Sequence, residues 1–143
     1  MTTAREVMTR GAECVKETET ITEAARKMAS LEVGSLPICG SDNKLKGMLT
    51  DRDIVVHVIA RGKDPNTTFA AECAHGAPVM IDADDSVEHA IEMMEQRKIR
   101  RLPVLENKQL VGIISQGDLA CMAPHEEVGE MLDAISSAPP IQH

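Results

Sequence analysis

The chain has 143 residues, a length that accommodates one compact domain or two small units sharing a core and excludes a large multidomain enzyme. The composition, 43% hydrophobic and 27% charged, is that of a globular protein and excludes intrinsic disorder. A net charge of −8 argues against nucleic acid as a partner, because it has the wrong sign for binding a phosphate backbone. One Phe with no Trp or Tyr leaves no aromatic rows for base stacking.

The first half of the chain has the pattern of a helix, two short strands and a second helix. Residues 20–31 are predicted to form a helix, because a capping box begins the segment and apolar residues recur on one face. Short strands are predicted at 35–39 and 45–49, where a polar turn separates two apolar runs. The second helix is predicted to begin at Thr50 and to continue to Gly62.

The second half of the chain repeats the first at an offset of 66 residues, which becomes 65 after a turn that is one residue shorter. The segment 36–38, Leu-Pro-Ile, falls on Leu-Pro-Val at 102–104. The repeated elements are a helix near 86–98, strands near 101–105 and 110–114, and a helix that begins at Ser115.

The repeat predicts an α+β protein made of two β-α-β-β-α units that pack as a pseudo-twofold pair. A unit of about 60 residues is marginally stable alone, so the two units are expected to share a core. The predicted divisions are 1–66 for the first unit, 67–123 for the second, and 124–143 for a C-terminal helix and tail. The helix is indicated by apolar residues at i, i+3, i+4 and i+7, which are Val128, Met131, Leu132 and Ile135.

One seven-residue pattern, which we call the Gly-to-Asp motif, occurs in each copy, at 47–53 and 112–118. It consists of Gly, two apolar residues, Thr or Ser, two variable residues and Asp. The hydroxyl residue ends a strand and begins a helix, where free backbone N–H groups favour an anion such as phosphate. The Asp follows one helical turn later and could accept hydrogen bonds from ribose, while the glycine lets a ligand approach the strand. These candidate binding residues are Gly47, Thr50, Asp53, Gly112, Ser115 and Asp118.

The same spacing also suits a capping box, in which hydroxyl and carboxylate only satisfy backbone N–H groups at the helix start. For one copy alone, capping is the simpler interpretation. Two copies that keep Gly, hydroxyl and Asp in register favour a binding role, because Glu, Asn or Gln would cap about as well.

The repeat resembles a pair of CBS domains, modules named after cystathionine β-synthase. The resemblance rests on the motif continued to Ile54, on the leading segment 4–9 and on the two Leu-Pro strands, and it extends from about residue 4 to 120. It implies a protein that binds an adenosine-containing ligand, such as AMP, ADP or ATP, in two clefts between the copies. It also implies a homodimer.

By motif position, the resemblance implies that Thr50 and Asp53 hold phosphate and ribose in one cleft, and that Ser115 and Asp118 do so in the other. Along the base of the clefts it places Leu36, Pro37, Ile38, Leu102, Pro103 and Val104.

A group of cationic residues could make the charge near the clefts positive although the chain is acidic: Arg52, Arg97, Lys98, Arg100 and Arg101. Of these, Arg52 and Arg101 are predicted to contact the nucleotide. Arg100 and Arg101 directly precede the second Leu-Pro strand. The same cluster is equally consistent with a solvated helix end.

Two of the four cysteines lie where strand pairing could bring them within bridging distance, because Cys14 precedes the first strand and Cys39 ends the second. A disulfide there would close a loop of about 25 residues and stabilise the fold by roughly 3 kcal/mol. The similarity to CBS pairs of the hypoxic-response type favours the disulfide, whereas a reducing compartment favours two thiols, and both states stay open.

No metal site and no firm cofactor is predicted. Cys73 with His75, and Cys121 with His125, are pairs of zinc-ligand type, but no third ligand is identifiable for either. His57 interrupts an apolar helix face and is expected to be a partly buried, satisfied histidine.

Catalysis is not predicted, because the strongest polar sites duplicate each other as binding pockets do, and no triad, paired acid or phosphate-binding loop is found. The chain has no apolar signal core and no apolar stretch of membrane-spanning length, which predicts a cytoplasmic protein without a membrane partner. The predicted function is that of a stand-alone sensor whose nucleotide-dependent state is recognised by an unknown protein partner. The alternative is a ligand-free dimeric stress protein of the hypoxia type, tuned by redox state or zinc through its cysteines.

Overall fold

The chain packs as two compact units whose limits differ from those of the sequence repeats. The first-repeat unit contains residues 13–78, and the second-repeat unit combines 1–12 with 79–143. The N-terminal segment thus packs with the second repeat, although the first sequence copy begins in it. A computed structural model of the chain describes residues 2–11, 13–74, 78–122 and 125–137, without the side chains of 122–128.

The secondary structure alternates short strands and helices throughout. In chain order the elements are α1 (Ala4–Val7), β1 (Thr9–Arg10), β2 (Val15–Lys16), α2 (Ile21–Leu31), β3 (Ser35–Cys39), β4 (Leu45–Thr50), α3 (Asp51–Asp53), a π-helix (Ile54–Ile59), a 3-10 helix (Ala70–Cys73), β5 (Ile81–Asp82), α4 (Val87–Arg97), β6 (Arg101–Glu106), β7 (Gln109–Ser115), α5 (Gln116–Met122) and α6 (His125–Ser136).

In the first-repeat unit, the strands form a sheet in the order β2-β3-β4. Strand β2 runs parallel to β3, and β3 runs antiparallel to β4. Helix α2 begins where the Thr20 hydroxyl accepts from the Glu23 backbone N–H, as the capping pattern predicts. Its apolar stripe enters a core that consists of Val15, Ile21, Ala24, Met28, Leu36, Ile38, Leu49, Val58, Ala70 and Cys73.

In the second-repeat unit, the sheet has the order β1-β7-β6-β5, so an N-terminal strand is added at the edge. Strand β1 is antiparallel to β7, and Arg10 lies opposite Gly112. Arg5 fixes the same segment further: its guanidinium donates to both carboxylate oxygens of Glu106, at 3.0 and 2.9 Å, and to Asp84 at 3.0 Å. The N-terminal segment is therefore an integral part of this unit.

The α+β class and the β-α-β-β-α order of each repeat are confirmed. The predicted C-terminal helix is α6, in which Met131 and Ile135 are buried and join the core that contains α4. The side chain of Val128 and the predicted tail from 138 onward lie outside the described residues. None of the helices in the described ranges has the length and apolar character needed to cross a bilayer.

The helix predicted over 50–62 has a different form. Only α3 is α-helical, and the chain continues as a π-helix in which the Ala60 N–H donates to the Val55 carbonyl, five residues back, at 2.8 Å. Five of the six π-helical residues are β-branched. Such side chains lose rotamer freedom against the preceding turn of an α-helix, which weakens the preference of this segment for α-helical geometry.

Candidate functional site

The first Gly-to-Asp motif ends β4 and begins α3. The Thr50 hydroxyl accepts from the Asp53 backbone N–H at 3.0 Å, and Asp53 Oδ2 accepts from the Thr50 backbone N–H at 3.0 Å. This reciprocal pair is a complete capping box. Asp53 is buried, with 9% of its surface exposed, so its carboxylate is fixed by these contacts.

The second motif repeats this geometry at the junction of β7 and α5. The Ser115 hydroxyl accepts from the Asp118 backbone N–H at 3.1 Å, and Asp118 Oδ2 accepts from the Ser115 backbone N–H at 2.9 Å. Asp118 is half-buried and therefore more open to solvent than Asp53. The capping role considered for the motif is thus observed in both copies.

Capping leaves hydrogen-bonding capacity in each motif. The capping hydrogen bonds use only Oδ2 of each Asp, and a hydroxyl that accepts an N–H bond keeps its own proton to donate. In the first motif, Asp53 Oδ1 lies 4.0 Å from His57 Nε2, a contact that becomes an ion pair when the half-buried histidine is protonated. Each motif therefore keeps one hydroxyl donor beside a second carboxylate oxygen.

The two motif glycines have a packing role within their own units. A Cβ at Gly112 would lie 2.5 Å from Met8 Sδ and 2.8 Å from the Thr9 carbonyl oxygen, because β1 crosses this position. A Cβ at Gly47 would lie 3.1 Å from the Ala74 Cβ. Close packing thus accounts for both glycines without a ligand.

The residues of the two Leu-Pro strands are buried and do not form an open surface. All six of the predicted cleft-base residues are buried: Leu36, Pro37, Ile38, Leu102, Pro103 and Val104. Leu36 and Ile38 belong to one core and their counterparts to the other. Because side chains alternate along a strand, Pro37 and Pro103 face the opposite side of each sheet.

Two of the five cationic residues, Arg100 and Arg101, lie beside the second motif. Arg101 lies opposite Ser115 in the β6–β7 ladder, and the Arg100 carbonyl accepts from the Gln116 N–H at 3.1 Å. Arg100 is exposed, as are Arg97 and Lys98, whereas Arg101 is half-buried. Arg52, in the first motif, is exposed as well.

The predicted neighbours Cys14 and Cys39 are in contact but are not covalently joined. Strand β2 follows Cys14 directly and pairs with β3 so that Lys16 lies opposite Cys39. Both cysteines are free thiols, which hydrogen-bond to each other, so the disulfide is not supported. Burial, and then the hydrogen bond with Cys14, raise the pKa of Cys39 to about 12, which keeps this thiol protonated near neutral pH.

The two predicted Cys–His pairs are not seen together among the described side chains. His75 lies outside the described residues, and the His125 side chain is not described. Among the described side chains, no group of three or more His, Cys, Asp or Glu is arranged to hold a metal ion. Burial and the nearby Asp53 charge raise the pKa of Cys73.

Two features of the site were not predicted. The first is the approach of His57 to Asp53, which follows from their i, i+4 spacing. This spacing is the sequence signal that links His57 to the motif. Among its described residues, the first-repeat unit also exposes five large apolar residues, between 40% and 59% accessible: Leu31, Val33, Val55, Ile59 and Phe69. Comparison of the repeats could have indicated this surface, since position 97, equivalent to 31, is Arg.

The CBS-domain sequence model matches residues 4–60 and 70–121. The chain therefore belongs to the CBS-domain family and contains two copies of the domain. Hypoxic response protein 1 of Mycobacterium tuberculosis is 44% identical over 137 residues, which cover 96% of both chains.

Solved structures agree with this assignment. The crystal structure of Hypoxic Response Protein I with two coordinated zinc ions matches with a TM-score of 0.80 at 46% identity, over 86% of this chain and 100% of that one. CBSX2, crystallised in complex with AMP, matches with a TM-score of 0.72 at 21% identity, over 85% and 95% of the two chains. At this identity the second likeness shows the fold alone.

Proposed function

We propose that this protein is a cytoplasmic regulatory sensor that binds adenosine nucleotides, AMP, ADP or ATP, at its two Gly-to-Asp motifs and catalyses no reaction. A bound nucleotide favours one conformation of the pair, and a protein partner recognises the difference. The crystal structure of CBSX2 with AMP supports the ligand class by analogy.

The observation that carries the proposal is the duplicated hydrogen-bonding geometry. Each motif holds a hydroxyl that can still donate and a carboxylate with one oxygen outside the cap. A phosphate needs donors and the two hydroxyls of ribose need an acceptor, so one motif offers partners for both parts of a nucleotide. The backbone holds these groups in place through the caps, which reduces the entropy lost on binding.

Asparagine substitution separates binding from capping. In Asp53→Asn with Asp118→Asn, the amide oxygen can take over the cap, while an NH₂ donor replaces the acceptor oxygen that ribose requires. We expect calorimetric titration of the intact chain to show nucleotide binding that the double variant lacks, with the melting temperature of the unliganded protein nearly unchanged. Absence of heat and of a thermal shift with AMP, ADP and ATP at millimolar concentration would reject the proposal.

We propose further that the protein forms a homodimer. The exposed apolar residues of the first-repeat unit support this, because Val55 and Ile59, at 59% and 53% exposure, leave apolar surface in water. Light scattering during gel filtration should give the mass of a dimer, and Val55→Asp with Ile59→Asp should give a monomer. A monomeric wild-type protein would contradict this part of the proposal.

A second candidate function is a ligand-free stress protein tuned by redox state or zinc. The contact between Cys14 and Cys39 favours it, since the thiols already lie side by side, and the zinc ions of Hypoxic Response Protein I add a metal by analogy. Thiol counting before and after reduction, with metal analysis of the purified chain, tests it. Four titratable thiols without reduction and no bound zinc would exclude it.

A further inference from the structure

We propose that helix α6 is a releasable cap. When docked, it covers a helical face of the second-repeat unit, and when released, it lets that face bind a second copy of this chain. This role of α6 rests on the homodimer proposed above and adds a second surface to it. It follows from the unequal covering of two equivalent faces and from charges that oppose the docking of α6.

The helices of the two repeats present equivalent faces that are covered unequally. By the repeat offset, α2 corresponds to α4, and α3 with the π-helix corresponds to α5. In the second-repeat unit, α6 packs against both α4 and α5. In the first-repeat unit, the corresponding helices leave Val55 and Ile59 exposed over 59% and 53% of their surface.

One pair of equivalent residues shows what α6 covers. Ile91 of α4 corresponds to Ala25 of α2. Ala25 is exposed, whereas Ile91 is 5% exposed and belongs to the core that Met131 and Ile135 of α6 enter. Release of α6 would therefore uncover apolar surface on the second-repeat unit, at the place where the first-repeat unit is already open.

The docking of α6 depends on a short apolar seam. Of its described side chains, Met131 and Ile135 are the buried apolar ones, and Leu132 is 37% exposed. A helix of 12 residues is marginal in water without such packing, so a released α6 would also lose its helical structure. Gly129 weakens the helix further, and a Cβ there would meet no described atom within 4 Å, so no close contact requires glycine.

Carboxylates oppose the docking electrostatically. A cavity of about 180 Å³ between α4 and α6 is lined by Ile91 and by four glutamates, which are Glu88, Glu92 and Glu95 of α4 and Glu130 of α6. Its described lining contains no lysine or arginine, and His89, 4.0 Å from Glu92, adds positive charge only when protonated. Like charges on the two helices repel each other, and salt screens this repulsion. Apolar packing thus holds α6 while charge repels it, a balance that permits local opening without unfolding of the unit.

Charge placed under α6 tests the covered surface. Met131→Glu with Ile135→Glu puts two carboxylates into the apolar core, so α6 should detach in the intact chain and its amides should lose their protection from hydrogen exchange. Each chain would then present two docking faces. Light scattering during gel filtration should therefore show a mass above that of the dimer, which increases with protein concentration.

A further substitution distinguishes specific association from aggregation. Adding Ile91→Glu to the release variant should return the mass to that of the dimer, because it places a charge on the uncovered face. A detached α6 with the mass of the wild type would overturn the proposal while leaving the homodimer intact, and so would a larger mass that Ile91→Glu does not reduce. A wild-type monomer that dimerises on release would contradict the homodimer alone, and one that stays monomeric would defeat both.

A second measurement needs no disruptive variant. In the wild type, amide exchange of α6 should be slower in about 0.5 M than in about 0.05 M NaCl, because salt screens the glutamates. At low salt, Glu92→Gln should slow this exchange about twofold, and Glu92→Lys about fivefold with the salt response reversed. The matched control is Gln96→Lys, which changes the charge of α4 by the same amount as Glu92→Gln but lies outside the cavity lining. Exchange in α6 no faster than in β6, or an equal effect of Gln96→Lys and Glu92→Gln, would overturn the proposal.

Discussion

Truncation of Asp53 measures what the first capping box contributes to stability. The Asp53→Ala variant removes the acceptor of the Thr50 N–H, a 3.0 Å hydrogen bond, and also the side chain that completes the box. Loss of a helix cap costs about 1 kcal/mol, and an N–H left without its partner away from water costs about 1–3 kcal/mol. Because Asp53 is 9% exposed, water replaces the lost carboxylate poorly, and we expect a decrease of about 2 kcal/mol in the free energy of unfolding.

The second motif supplies the comparison. Asp118 makes the same bond at 2.9 Å but is half-buried, so water can approach the freed Ser115 N–H. Asp118→Ala should therefore cost only about 1 kcal/mol. The conservative variants Asp53→Asn and Asp118→Asn keep an acceptor oxygen and should stay within about 0.5 kcal/mol of the wild type.

The assay is urea unfolding followed by far-ultraviolet circular dichroism, since the chain has no Trp or Tyr to report by fluorescence. Equal stabilities of Asp53→Ala and Asp53→Asn would refute the capping argument. A larger loss at Asp118 than at Asp53 would refute the link between burial and cost.

Further predictions concern other contacts of the structure. The hydrogen bond from Arg5 holds the pKa of Glu106 below its usual 4.5. The pair therefore stabilises the fold above pH 4.5, and this stabilisation is lost as the pH falls through the lowered pKa of Glu106. Arg5→Gln should flatten the decline in urea-unfolding stability between about pH 5 and pH 3. Gly112→Ala should cost about 1–3 kcal/mol, since a backbone oxygen lies 2.8 Å from the added Cβ, and Gly47→Ala less than about 1 kcal/mol; equal costs in the same assay would contradict this. Met131→Ala, which empties a fully buried position, should cost about 2–5 kcal/mol and increase amide exchange in α6.

The features that the sequence predicted are those controlled by local chemistry. Thr20 caps α2 because a hydroxyl before an amphipathic segment satisfies a free N–H, and this depends on neighbours within one turn. The strands β3 and β4 follow from apolar runs on either side of a polar turn. Because the second copy repeats these signals, each predicted element is supported by two separate segments of the chain.

Long-range pairing could not be predicted in the same way. Strand β1 has two residues, too few for a periodic pattern, and it exists because its backbone pairs with β7 about 100 residues away. The π-helix is likewise a compromise between α3, which the capping box begins, and the β-branched run that follows. Strand β1 therefore has no short sequence signature, and a β-branched run alone does not distinguish a π-helix from a strand.

The candidate site shows why a shared motif supports a function less strongly than a difference between its copies. Hydroxyl and Asp recur in both repeats, and because each pair caps a helix, capping explains part of this recurrence. Folding does not require Arg100 and Arg101 beside the second cap, since Gly34 and Ser35 make the same backbone contacts beside the first. The divergence around Ser115 is therefore the stronger reason to look for an anionic ligand there.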